Sequence, residues 1–194
     1  MVPRCYLIIA VLFTTSASTQ DSSLLDEELK SFRFKGKPIH PAVVEELITP
    51  LADPLPTIVS VEVEGGHRNN KARGTPSSNA NGYIEYTDPY THGSSPNGNG
   101  YFCYRHLGRT AEGIHVLKTL SSGGGSGIFM DIIFIRFEWD DAYEQGEYRK
   151  RVIMKRVGDF CLGDRDDGTI KLDGNKLTIS TSRYRSEPVV LTLR

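Results

Sequence analysis

The chain has 194 residues, a formal charge of −1 and 3 cysteines, with 38% hydrophobic and 24% charged residues. A balance this close to neutral gives no general pull toward nucleic acid or anionic membrane surfaces. The apolar run from Tyr6 to Phe13 is too short to span a bilayer.

That run follows Arg4 and Cys5 and gives way to small polar residues from Thr14 to Thr19, the layout of a secretory signal peptide. Cleavage after Ala17 or Ser18 is expected, with residues 1–17 as the leader. Cys5 precedes the apolar core, where it cannot serve as a lipoprotein anchor. The expectation is export into a secreted or periplasmic compartment without a membrane anchor. Loss of Arg4 leaves a mature chain of 177 residues and a charge of about −2, the length of one domain with a sizeable core. Cys103 and Cys161 are the cysteines that remain. In an oxidising compartment they are expected to pair, and closing a loop of that length would contribute about 4 kcal/mol. Two free thiols are the alternative.

Residues 18–56 read as an N-terminal arm with a short helix, packed as one unit with a β domain over 57–194. Leu24, Leu25 and Leu29 lie among charges, which suits a short amphipathic helix or a frayed arm. Pro41 suits a first helical turn, and Val43, Val44, Leu47 and Ile48 form one face before Pro50 and Pro54 forbid continuation. The spacing predicts a helix over 41–49.

From Thr57 the period becomes two, with Val59, Val61 and Val63 alternating against Ser60, Glu62 and Glu64. Polar loops follow at 65–82 and 88–100, flanking a short strand at 83–87; loops of that length tend to be functional or disordered. Segments 101–107, 113–120, 127–139 and 148–157 read as successive antiparallel strands, with an acidic turn at 140–147. A short piece at 160–164, a hairpin turning at Asp173-Gly174 and a last strand at 187–194 complete the chain. About nine strands, with one or two short helices confined to the N-terminus, predict a mainly β antiparallel sandwich or partly closed barrel. The strand at 127–139 has apolar residues on both sides in its first half, so it belongs in the sheet centre.

The loop Ser121–Gly127 enters a strand, not a helix, and no lysine follows it, so it fits a flexible connection better than a phosphate cradle. Asp131 falls among Phe129, Ile133 and Ile135 and is the buried-carboxylate candidate, with solvent at the strand's flared start as the bland reading. None of the 5 histidines forms a metal-ligand spacing; His106 and His115 would sit side by side if their strands pair about a short turn. No metal or cofactor is implied. Asp164, Asp166 and Asp167 miss the calcium-loop spacing and read as a solvated turn. Arg149, Arg151 and Lys155 share a strand face, with Asp140, Asp141, Glu144 and Glu147 just upstream to neutralise it.

Tyr83, Tyr86, Tyr90, Tyr101 and Tyr104 gather with His92 beside the polar loops, the equipment of glycan or peptide binding, with half-buried packing as the alternative. The functional expectation is a monomeric, non-catalytic binding module for an extracellular glycan or protein. Alternatives are an extracellular hydrolase using carboxylates such as Asp131 and Asp164, and a structural envelope-associated protein.

Overall fold

The computed structural model describes residues 26–48, 58–64, 74–86, 100–144 and 146–194. Their architecture is mainly β, with one seven-stranded antiparallel sheet, two small sheets and no closed barrel. Twelve strands stand in chain order: β1 (Arg33–Phe34), β2 (Lys37–Pro38), β3 (Ser60–Glu62), β4 (Ser77–Ser78), β5 (Ile84–Glu85), β6 (Tyr101–Arg109), β7 (His115–Ser122), β8 (Phe129–Glu144), β9 (Glu147–Asp164), β10 (Ile170–Asp173), β11 (Lys176–Ile179) and β12 (Val189–Thr192). The large sheet runs β3-β9-β8-β7-β6-β5-β4, and β10-β11-β12 form a separate three-stranded sheet. The count exceeds nine because three of the strands, β1, β2 and β4, are pairings of two residues each that carry no alternating signature; β5, equally short, falls on the expected strand at 83–87.

The sheet's two faces are covered by different parts of the chain. Helical residues 26–30, the β1–β2 hairpin and the helix Pro41–Glu45 lay Leu29, Phe32, Val44 and Leu47 against Tyr104, Leu117, Ile133, Ile135 and Met154. On the other face Leu177, Ile179 and Leu193 of the C-terminal sheet pack on Val116, Ile132, Phe134 and Leu162. Alternation along β8 thus sends Ile133 and Ile135 into one core and Ile132 and Phe134 into the other, which is why four consecutive residues are buried. Each such side chain contributes on the order of 2 kcal/mol.

Local chemistry sets the covering elements. Lys35 and Gly36 both take positive φ, at 50° and 75°, as the two-residue β1–β2 turn requires. His40 caps the following helix, its Nδ1 accepting from Ala42 N at 3.1 Å, and Pro41 occupies the first turn. Phe32 also has positive φ, 58°, a conformation that costs a bulky residue about 1–2 kcal/mol and that delivers its ring to the core. The β10–β11 loop is Gly174-Asn175, one residue beyond the expected Asp173-Gly174, because Asp173 pairs with Lys176; Gly174 alone takes positive φ.

Two sequence expectations need correction. Residues 140–147 are not an acidic turn: β8 and β9 continue through them as one long hairpin, pairing up to Glu144 with Glu147. Cys103 and Cys161 are free thiols, not a disulfide. Two strands, β7 and β8, separate them, so three interstrand steps of about 4.8 Å put the backbones about 14 Å apart, twice the reach of a disulfide. They also leave opposite faces, Cys161 opposite Asp131 and Cys103 in the row of Leu120 and Met130.

Candidate functional site

The long hairpin positions the most exposed aromatic surface. From Trp139 and Val152 outward, β8 and β9 pair only with each other, apart from the Val63 N–H that donates to Val152 O at 2.9 Å. This two-stranded ribbon extends about 20 Å over six residues. Directly opposed residues share a face, so Trp139 with Val152, Asp141 with Lys150 and Tyr143 with Tyr148 form one side. Trp139, Tyr143 and Tyr148 are 45%, 63% and 81% exposed, and the two tyrosine rings lie 4.8 Å apart.

The opposite side is a ladder of charges. Arg151 meets Asp140 at 2.6 Å and Glu62 at 3.5 Å, Arg149 meets Glu62 at 2.8 Å and Glu144 at 3.0 Å, and Lys155 meets Glu138 at 3.4 Å. Each exposed pair contributes little alone, but together they stitch β3, β8 and β9 and leave no free basic stripe for a polyanion. The neutralisation expected from the upstream acids is therefore what the register produces, with Glu62 as an added partner.

At its inner end the aromatic side runs into a cleft of about 420 Å³, lined by Asp26, Glu27, Leu29, Lys30, Arg109, Phe137, Glu138, Trp139 and Val152. The helical residues 26–30 form one wall and the base of the ribbon the other. Phe137 ties this cleft to the core, its ring centroid 5.0 Å from His115 and 5.4 Å from Phe32. His106 and His115 do sit side by side, and Phe32 stacks on His106. Burial holds the His106 imidazole below its ordinary pKa and pushes His115 down to about 3, helped by the charges of His106 and Arg109. No group of three or more potential metal ligands occurs among the described residues.

The sequence candidates are dispersed. Tyr104 is fully buried and its hydroxyl donates to Ile39 O at 2.6 Å; Tyr83 is buried beneath the Arg105 guanidinium. Tyr86 and Tyr101 are half-buried, Tyr86 against His40. Tyr90 and His92 lie outside the described residues, as does most of both polar loops. Asp131 is half-buried beside the Cys161 thiol, and desolvation raises its pKa while the thiol's hydrogen bond opposes the rise. Asp164 is occupied: one oxygen accepts from Ile128 N at 2.8 Å and the other meets Arg165 at 2.9 Å, an anchor for the end of the glycine-rich loop. Asp166 is not in a solvated turn. It is buried, accepting from Gly168 N and Ser182 Oγ and meeting Arg185 at 3.2 Å. The ribbon aromatics were missed because Tyr143 stands in a stretch that reads as an acidic turn, which leaves Trp139 and Tyr148 at the ends of two separate expected strands; once β8 and β9 are aligned outward from Trp139, their period of two is visible.

Comparison with family models, with curated proteins and with solved structures gives no match to this chain. Among the described residues no helix is long and apolar enough to cross a membrane.

Proposed function

We propose that the protein is an exported, non-catalytic binding module that holds an extended polar ligand of the glycan class along the aromatic side of the β8–β9 ribbon. The observation that carries this reading is the exposure of Trp139, Tyr143 and Tyr148 on one side of a ribbon whose other side is braced by ion pairs. Aromatic faces offer flat apolar surfaces to sugar C–H groups, and neighbouring polar groups fix orientation. Here Asp141 and Lys150 lie between the rings on the same side, and Asp26, Lys30 and Arg109 line the adjoining cleft. Tyr143 stands four positions along β8 from Trp139, about 13 Å, so a ligand touching both rings is longer than a single sugar. Export rests on the leader-like pattern of residues 1–17.

Trp139 is the sole tryptophan, so its fluorescence reports directly on this surface. Titration with oligosaccharides of increasing length should give a saturable change that strengthens with length and disappears in Trp139→Ala when binding is read by calorimetry. Binding that survives Trp139→Ala and Tyr148→Ala unchanged would remove the ribbon as the site. Release of new reducing ends during the titration would favour the hydrolase reading, for which the cleft supplies Asp26 and Glu27 on one wall.

A further inference from the structure

The sheet face that carries the C-terminal sheet holds a second feature, independent of the ribbon. Arg105 on β6 and Lys118 on β7 are direct cross-strand partners, so their side chains leave the same face with Cβ atoms about 5 Å apart. Lys118 is only 8% exposed, and neither cation takes part in any of the ion pairs among the described residues. The Nε–H of Arg105 is buried without a hydrogen-bond partner. The guanidinium lies 5.2 Å from the centroid of the Tyr83 ring, a contact that sets its plane without using its N–H donors.

Two carboxylates act electrostatically on this face, Asp166 on Lys118 and Glu85 on Cys103, and both are engaged elsewhere. Asp166 acts on Lys118 through charge alone, its oxygens taken by Arg185, Ser182 and the Gly168 N–H. Glu85, on β5, accepts from Asn79 Nδ2 at 3.0 Å. Two adjacent cations, one of them withdrawn from water, carry a desolvation cost that Asp166 offsets only in part and that no ion pair among the described residues cancels. An oxyanion between them would offset it. A planar guanidinium presents paired N–H donors matched to phosphate or sulfate oxygens, and an ammonium supplies a compact point charge.

We propose that Arg105 and Lys118 form a binding site for a phosphate- or sulfate-type oxyanion, either free or carried as a substituent on a sugar. Tyr83 beneath Arg105 is the positioning residue. The site lies on the opposite face of the sheet from the aromatic rings of the ribbon, so neither reading depends on the other.

The test is the melting temperature and a calorimetric titration of the purified protein in inorganic phosphate, against sodium chloride at matched ionic strength. Glucose 6-phosphate against glucose forms a second arm. Phosphate should raise the melting temperature saturably and chloride should not. Tighter binding of glucose 6-phosphate than of phosphate assigns a sugar-borne group, and equal affinity assigns the free ion. Lys118→Met, which keeps the apolar stem and removes the charge, should abolish the phosphate response while melting no lower than the native protein in chloride. Arg105→Lys, which retains charge but loses the fork, should weaken phosphate at least tenfold. A phosphate response no larger than that of chloride, or one retained in both variants, overturns the proposal.

Discussion

The Nε2 of His106 and the Nδ1 of His115 lie 3.2 Å apart inside a cage of Phe32, Tyr104 and Phe137. A bulge between His106 and Gly108 brings the two residues to this position, since Arg109 and not Gly108 faces His115. At neutral pH both rings are uncharged and one N–H donates to the other ring's lone pair. Protonating both would place two positive charges in contact away from water.

This pair makes the fold acid-sensitive. Both histidines have folded pKa values below the unfolded value near 6.5, His115 at about 3. The unfolded chain therefore binds more protons, and stability is complete above pH 6.5 and is lost as the pH falls from there toward 3. Each histidine contributes a slope of at most about 1.4 kcal/mol per pH unit. Asp131 and Glu45 act in the opposite sense, because burial raises their pKa: their contribution is present at low pH and fades as the pH rises through their folded values. Urea unfolding of the native protein and of His115→Phe at pH 7, 6 and 5 separates the two effects. The variant should show a clearly flatter profile, and parallel profiles would refute the assignment.

How much of this was legible beforehand follows from what each segment encodes locally. Alternation placed β6, β7 and the first half of β8, and it placed β8 centrally, because Ile132 to Ile135 are apolar on both sides. Pro41 placed the start of the N-terminal helix, which ends at Glu45 and not at the expected residue 49. The outer half of β8 was invisible because Asp140, Asp141 and Glu144 are residues that strands generally avoid; Arg151 and Lys150 stand directly across from Asp140 and Asp141, and Arg149 reaches Glu144 diagonally, which makes the pairing favourable, and that is information only the register holds. The side-by-side histidines were legible from a short connection between pairing strands. The disulfide was not excluded by sequence, since neither loop length nor compartment reports that two strands intervene.

Asp166 and Arg185 form the best-buried ion pair among the described residues, with side-chain exposures of 0% and 15%. Arg185 also donates to Ser180 O, so the pair pins the segment after β11 to the turn after β9. Removing one charge strands the other, which costs about 3–5 kcal/mol. Asp166→Asn should therefore lower unfolding stability by several kcal/mol. Asp167→Asn should cost far less, because Asp167 and Arg183 are half in solvent, where water screens their attraction. Equal effects from the two neighbours, measured by urea denaturation, would contradict this account.

Cys103 and Cys161 should both titrate in the native protein, at very different rates. Burial pushes the Cys103 thiol up to about 12 and also raises that of Cys161, where the nearby Asp131 carboxylate adds to the effect. Thiolate is the reactive form, so neither residue reacts as fast as a free cysteine. Cys161 is exposed and should modify first, slowly and with acceleration above neutral pH; buried Cys103 should react only on unfolding. An intact mass short of two hydrogens, or a melting temperature lowered by reductant, would restore the disulfide.

The ribbon gives the sharpest separation of binding from stability. Trp139, Tyr143 and Tyr148 are exposed, and alanine at Tyr148 removes a ring whose main neighbour is Tyr143 at 4.8 Å. Folding stability should change by no more than about 0.5–1 kcal/mol, while loss of a ligand-stacking ring weakens binding by about 1 kcal/mol or more, roughly fivefold to tenfold. Arg151→Ala acts from the other side. It touches no residue of the aromatic row but deletes the contacts to Asp140 and Glu62, so it should loosen the ribbon and weaken binding without removing a ligand contact. The two variants then diverge with salt: screening weakens the exposed pairs, so high ionic strength should narrow the gap between native protein and Arg151→Ala and leave the Tyr148→Ala deficit intact. Titration at low and high sodium chloride, read by calorimetry, checks this; a Tyr148→Ala deficit that vanished in salt would mean that the ring supports the charge ladder instead of meeting the ligand.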